Sequence, residues 1–292
     1  MKLSGVLPAL VTPFDRQGRI DFAAFGKHLA NLRAAGVTGW VPCGSSGEYS
    51  FMSDEERDEV LKFVKEFAKP GEILIAGTNA PSTAGVIANT LRAKAMGYDA
   101  VLLATPFYTK PTQAELVAHF KAVLEATDMK IVLYSYPDKD GVELGWEVLD
   151  ALADDPRIIG IKESSGSLQR AIGIATRYEG RLQLVSGSDD IALDFMIWGA
   201  ESWICGPANC MAKAVCDLDR TFKSGDLAKA KRQMATLYKA MNILESGKFV
   251  QKLKYGCEVQ GTPVGECRAP LGPLTDEEKA EFRAAMEPIL NW

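Results

Sequence analysis

The sequence predicts an α/β protein, a (β/α)8 TIM barrel with a C-terminal helical extension, on three observations. Eight short apolar runs recur, each about 20 to 35 residues after the last. The runs are rich in β-branched residues and leucine and lack clean polar alternation, as expected of parallel strands buried on both faces. Helix-like stretches fill the gaps, so that eight β/α units occupy about 220 residues. A doubly wound open sheet is the alternative. It usually places a glycine-rich dinucleotide turn after its first strand, whereas here that strand runs into Thr12-Pro13-Phe14.

The predicted strands are residues 6–11, 39–42, 73–77, 100–104, 130–134, 158–161, 182–185 and 202–205. Residues 22–35 carry apolar side chains at helical spacing. Ser53 is an N-cap with Glu56 three residues on, a capping box, and Thr275 with Glu278 repeats the device. Gly36, Gly97 and Gly180 each stand between a helix and a strand, where a C-cap glycine belongs. After Ser224-Gly225 the pattern turns purely helical, over 226–244, 249–255 and 275–290. The expected domains are therefore a catalytic barrel over 1–224 and a helical domain over 225–292.

A formal net charge of −5 argues against a nucleic-acid binder or a basic membrane patch. The apolar start is too short to span a membrane and does not read as a signal peptide, so the expected location is the cytoplasm. The six cysteines, Cys43, Cys205, Cys210, Cys216, Cys257 and Cys267, form no C-x-x-C pair, and the histidines are His28 and His119. That spacing argues against structural zinc and for reduced, mostly buried thiols.

In such a barrel the chemistry gathers where strands end. Lys162 continues the run 158–161, and two-residue alternation puts Ile158, Gly160 and Lys162 on one face. If that face is the interior, burial disfavours the ammonium, and a neutral amine is what attack on a ketone requires. From the strand alone, a lysine reaching solvent or pairing with Glu163 is the commoner outcome. Tyr134 ends the neighbouring strand, where a phenol could relay protons or could simply be a satisfied core tyrosine. Gly44-Ser45-Ser46-Gly47 offers two hydroxyls and exposed backbone N–H groups suited to a carboxylate, or is a plain turn before the Ser53 helix. Asp189-Asp190 reads first as a helix start.

Taken together the motifs resemble the dihydrodipicolinate synthase / N-acetylneuraminate lyase family over essentially the whole chain. They are Gly44-Ser45-Ser46-Gly47-Glu48, Pro106-Phe107-Tyr108, Leu133-Tyr134 with Pro137, Gly160-Ile161-Lys162-Glu163 and Ser186-Gly187, in that order and each after a predicted strand. The resemblance implies Lys162 as the imine-forming residue and Tyr134 as the proton-transferring phenol. It implies Ser45 in the proton relay, with Tyr108 crossing a dimer interface to complete a neighbour's relay. It places Ser46, with the Gly44 loop, on the carboxylate of a 2-oxo acid, and Gly187 and Ile204 in the pyruvate pocket. A homotetramer built as a dimer of dimers is implied, with no metal or organic cofactor. Two departures stand out. Both loop hydroxyls are serines where the synthases usually carry threonines. Lys139 stands where the synthases place an arginine on the second substrate's carboxylate, which keeps the charge and loses the bidentate fork.

The function expected is that of a Schiff-base lyase or aldolase condensing pyruvate with an aldehyde such as aspartate semialdehyde. Lys139 and the acidic pair after Gly187 motivate a second reading, an aldolase or dehydratase of 3-deoxy-2-oxo sugar acids or a cleavage like that of N-acetylneuraminate lyase. A non-catalytic oxo-acid sensor is the alternative of another class, and a phosphate-binding barrel is a weaker one.

Overall fold

The computed structural model describes all 292 residues. Its strands are β1 (Gly5–Pro8), β2 (Gly39–Trp40), β3 (Ile73–Gly77), β4 (Ala100–Ala104), β5 (Ile131–Ser135), β6 (Ile158–Glu163), β7 (Gln183–Ser186) and β8 (Ser202–Cys205). Between them lie the helices α1 (Phe22–Ala35), α2 (Asp54–Phe67), α3 (Thr83–Ala95), α4 (Gln113–Thr127), α5 (Pro137–Asp140), α6 (Trp146–Leu152), α7 (Leu168–Arg177) and α8 (Ala192–Ile197). α9 (Ala208–Lys223) follows β8, and α10 (Leu227–Glu245), α11 (Phe249–Val259) and α12 (Asp276–Leu290) make up the C-terminal helical region. The strand order β1-β8-β7-β6-β5-β4-β3-β2 is that of a (β/α)8 barrel. No helix is long and apolar enough to cross a membrane.

The chain groups into two compact units, one of Met1–Ser4 with Ile73–Ile204 and one of Gly5–Glu72 with Cys205–Trp292. In the first, five parallel pairings run from β3 to β8. The apolar runs that predict these strands are buried because both faces of a parallel sheet are covered: β4 and β5 are buried along their whole length. The β5–β6 register shifts between Ile131, opposite Ile158, and Val132, opposite Gly160. The extra residue on β6 is Ile159, and it corrects the sequence reading. Strict alternation holds for Gly160 and Lys162 but is interrupted between Ile158 and Gly160.

In the second unit β1 and β2 run side by side, with the Val41 N–H donating to the Pro8 carbonyl at 3.1 Å and the Leu10 N–H to Val41 at 3.0 Å. The strand predicted over 39–42 ends at Trp40. Pro42 has no N–H to offer a ladder, and Cys43 turns to φ 57. A buried amide organises this region: Asn209 Nδ2 donates to the carbonyls of Ala9 and Gly206, both at 2.8 Å, while its Oδ1 accepts from the Val11 N–H at 3.1 Å and lies 3.0 Å from His28 Nε2. Both predicted capping boxes form, and Gly36 closes α1 at φ 102, in the left-handed region that glycine enters without a Cβ clash. The cysteines form no disulfide, with Cys267 half-buried and the others buried. Burial pushes the thiols of Cys43, Cys216, Cys257 and Cys267 up to about 12.

Glu72 provides a pH test of this unit. Burial raises its pKa, but hydrogen bonds from Arg33, the Lys69 N–H and Trp40 outweigh that and bring it from 4.5 to about 2. A carboxylate depressed in the fold stabilises it above the unfolded pKa and loses that contribution as pH falls through the folded one. Glu72→Gln is therefore expected to lower the Tm at neutral pH. The gap from wild type should close between pH 4.5 and about 2; a gap independent of pH would refute the assignment.

Candidate active site

In the first unit, β5 and β6 carry the two groups that matter most. Tyr134 and Lys162 are direct partners in the parallel register. Tyr134 is 5% exposed and Lys162 is 7% exposed. The lysine Nζ lies 4.4 Å from the centroid of the tyrosine ring. Glu163, the next residue along β6, points the other way and is fully buried. Its carboxylate accepts from Arg170 Nε at 2.7 Å and from the Ser165 N–H at 2.7 Å, and Arg170 also donates to the Leu144 carbonyl. The acid that a strand-end lysine would be expected to pair with is thus engaged by α7.

Gly187, just past β7, makes room for Lys162. A Cβ there would stand 2.7 Å from Lys162 Cγ and 2.8 Å from the Glu163 carbonyl, and would collide with Ser164 Oγ. Ser164 closes the arrangement by donating to the Gly187 carbonyl at 2.9 Å and by bonding the Tyr134 phenol. Burial, the neighbouring Tyr136 phenol and the Asp140 and Asp189 carboxylates hold Tyr134 well above its ordinary pKa, against the Ser164 bond. The phenol therefore keeps its proton at neutral pH and can act as a donor.

The surrounding residues differ in character. Ile204 is fully buried in β8. Beside it Trp203 Nε1 donates to the buried Asp189 carboxylate at 2.8 Å. Lys139 lies on α5, the short helix after β5, with its Nζ 4.7 Å from the Tyr136 ring centroid. Tyr108 is 92% exposed and has φ 74. In the second unit, Gly44 leads into a 3-10 turn over Ser45–Gly47, with Ser46 buried and Ser45 half-buried.

Sequence reasoning singles out Lys162, Tyr134, Gly187 and Ile204, and the structure gathers them along the adjacent strands β5 to β8 or just beyond. It misses Ser164, although that residue follows Lys162 at the two-residue spacing that gives strand neighbours a common side. It also misses Asp140. Burial pushes that carboxyl up to about 7, opposed by the Thr105 hydroxyl and the Lys139 ammonium. A carboxyl with a raised pKa destabilises the fold as it ionises, so its cost is absent below 3.8 and complete above about 7. Asp140→Asn is expected to match wild type in thermal stability at low pH and to exceed it at pH 8. Equal stability at both values would contradict the burial argument.

Comparison with known proteins covers the whole chain. The profile of the Dihydrodipicolinate synthetase family matches residues 2–289. A 4-hydroxy-tetrahydrodipicolinate synthase of Geobacter sulfurreducens is 36% identical over 285 residues, covering 97% of each chain. One from Methanothrix thermoacetophila is 34% identical over 283 residues, covering 96% of this chain and 94% of the relative. Among solved structures, the chloride-inhibited dihydrodipicolinate synthase of Acinetobacter baumannii in complex with pyruvate is 32% identical, with a TM-score of 0.95 over 99% of each chain. The 4-hydroxy-tetrahydrodipicolinate synthase of Methylacidiphilum fumariolicum SolV is 29% identical, with a TM-score of 0.95 over 99% of this chain and 97% of its own.

Proposed function

The chain belongs to the dihydrodipicolinate synthetase family, and from that premise we propose that it is a class I lyase that forms a Schiff base between Lys162 and pyruvate and condenses the resulting enamine with an aldehyde, aspartate semialdehyde being the first candidate. The observation that carries the reading is the buried Lys162 amine 4.4 Å from the Tyr134 ring on the adjacent strand. The amine attacks C2 of pyruvate, and the carbinolamine loses water to give the imine. The imine nitrogen draws electrons from the pyruvate methyl group, a proton leaves, and the enamine attacks the aldehyde carbon. Water, or the amino group of an amino aldehyde such as the semialdehyde, adds to the imine carbon; the bond from that carbon to the lysine nitrogen then breaks and the Lys162 amine is released.

Tyr134 supplies and recovers protons in the carbinolamine and imine steps, for which a protonated phenol suits. Ser45 takes part in the same relay. Ser46, the Gly44 loop, Gly187 and Ile204 hold the pyruvate carboxylate and methyl group, and Lys139 meets the second substrate. Tyr108, exposed on its loop, completes a neighbour's relay in a homotetramer, and the protein works in the cytoplasm. The resemblance of the motifs supports these assignments. Sedimentation in solution tests the assembly: a tetramer is expected, and a monomer that retains full activity would remove Tyr108 from the relay.

Lys139 favours a second reading, because its ammonium lies against the Tyr136 ring and lacks the fork of an arginine. The second substrate would then be a hydroxylated aldehyde or sugar acid. Incubation with pyruvate and aspartate semialdehyde, alongside a panel of hydroxylated aldehydes and 2-oxo acids, separates the two readings. The leading one expects condensation with the semialdehyde; turnover of hydroxylated substrates alone would replace it with the second.

A further inference from the structure

We propose that Glu48 and Lys254 are positioning residues for the turn that carries Ser45 and Ser46, acting through the Glu48 backbone. The inference rests on the proposed role of Ser46 in holding the pyruvate carboxylate. Glu48 sits between two 3-10 turns, Ser45–Gly47 and Tyr49–Phe51. Its N–H donates to the Ser45 carbonyl at 3.2 Å, closing the first, and its own carbonyl accepts from the Phe51 N–H at 2.9 Å, closing the second. To serve both, Glu48 adopts φ 58 and ψ 34, a left-handed conformation that a non-glycine residue adopts only when its surroundings fix it there.

The side chain supplies that fixing. The Glu48 carboxylate is fully buried and stands 2.6 Å from Lys254 Nζ of α11, itself nearly without exposure. Its second oxygen accepts from the Arg268 N–H at 2.8 Å. Lys254 is held in turn, donating to the Glu266 carbonyl at 2.9 Å with its Nζ 4.4 Å from the Phe14 ring centroid. Arg268 fastens the far end of the double turn by donating to the Phe51 carbonyl at 2.8 Å and pairing with Glu56. Two anchors from the C-terminal part of the chain thus hold the middle of Ser45–Phe51, at Glu48, and its far end, at Phe51. A buried ion pair is weak evidence for stability; here its contribution is to geometry, because a loop that binds a small anion needs its donors held to a fraction of an ångström. Neither residue touches substrate in this account; the pair determines where the Ser45 and Ser46 donors stand.

The test uses the full chain and borohydride trapping of pyruvate on Lys162. In the double variant Glu48→Gln with Lys254→Met both buried charges go together, so no unpaired charge is left behind. It is expected to fold and to trap as fully as wild type at saturating pyruvate. Its half-saturating pyruvate concentration and its KM for pyruvate should rise ~tenfold, with a much smaller change in kcat. A pair that only stabilises the fold would lower the Tm and leave both concentrations where they were; that result in a folded double variant overturns the proposal. Should the double variant not fold, Glu48→Asp decides, since it keeps the charge and withdraws it by one methylene: a raised half-saturating concentration supports the positioning role and an unchanged one overturns it. Wild-type protein that traps no pyruvate overturns the imine reading and this proposal with it, whereas normal wild-type trapping beside unshifted variants overturns this proposal alone.

Discussion

Lys162→Met is expected to abolish the covalent adduct with pyruvate and to lower kcat by on the order of 10⁴-fold or more, the scale on which loss of a covalent nucleophile is felt. Methionine nearly conserves the volume of the lysine stem, so the packing around Gly187 and the Tyr134 ring should survive. The Tm should fall little or rise, because a buried amine is replaced by an apolar group. Circular dichroism and calorimetry check the fold, and steady-state turnover checks the chemistry. Residual activity within tenfold of wild type would place the reacting amine elsewhere.

The second large effect is that of Tyr134→Phe. The ring stays buried on β5 and its face remains available to the Lys162 amine, so only the hydroxyl is removed. General acid–base groups contribute ~10²- to 10⁴-fold, and a loss in that range is expected in kcat. The imine still forms, because the amine is untouched, but more slowly: trapping should approach the wild-type level at long incubation and lag at short times. Loss of the phenol also leaves Ser164 with the Gly187 carbonyl as its remaining partner among these two. A phenylalanine variant that forms the adduct and turns over at the wild-type rate would exclude Tyr134 from the proton path.

Several of these features can be read from local sequence, and the reason is physical. The strand of Lys162 announces itself because a parallel strand covered on both faces must be apolar until the point where chemistry begins. The capping boxes at Ser53 and Thr275 form as read because the device lies within four residues. The same pattern at Thr112 and Glu115 caps α4 and was equally open to reading.

What stayed hidden depends on partners far along the chain. Nothing near Glu48 in sequence indicates that its carboxylate meets Lys254, or that Asn209 ties Ala9 and Val11 to His28. The bulge at Ile159 follows from pairing with β5, which one strand's residues cannot report. Lys139 shows as a charge without a direction, and its position against Tyr136 emerges only once α5 has folded. Asp140 reads as an ordinary surface acid in the run Asp138-Lys139-Asp140 until burial raises its pKa. Gly187 is legible as one residue of a motif; the closeness of Lys162 Cγ and the Glu163 carbonyl, which leaves no space for a side chain, belongs to the folded chain.

The central claim is that pyruvate forms an imine with Lys162. The direct measurement is borohydride reduction of the protein in the presence of pyruvate, followed by intact mass and peptide mapping. One added pyruvate-derived group per chain, on the peptide containing Lys162 and absent from Lys162→Met, is the predicted result. Folded protein that gains no mass, or that carries the group on another lysine such as Lys139, would contradict it.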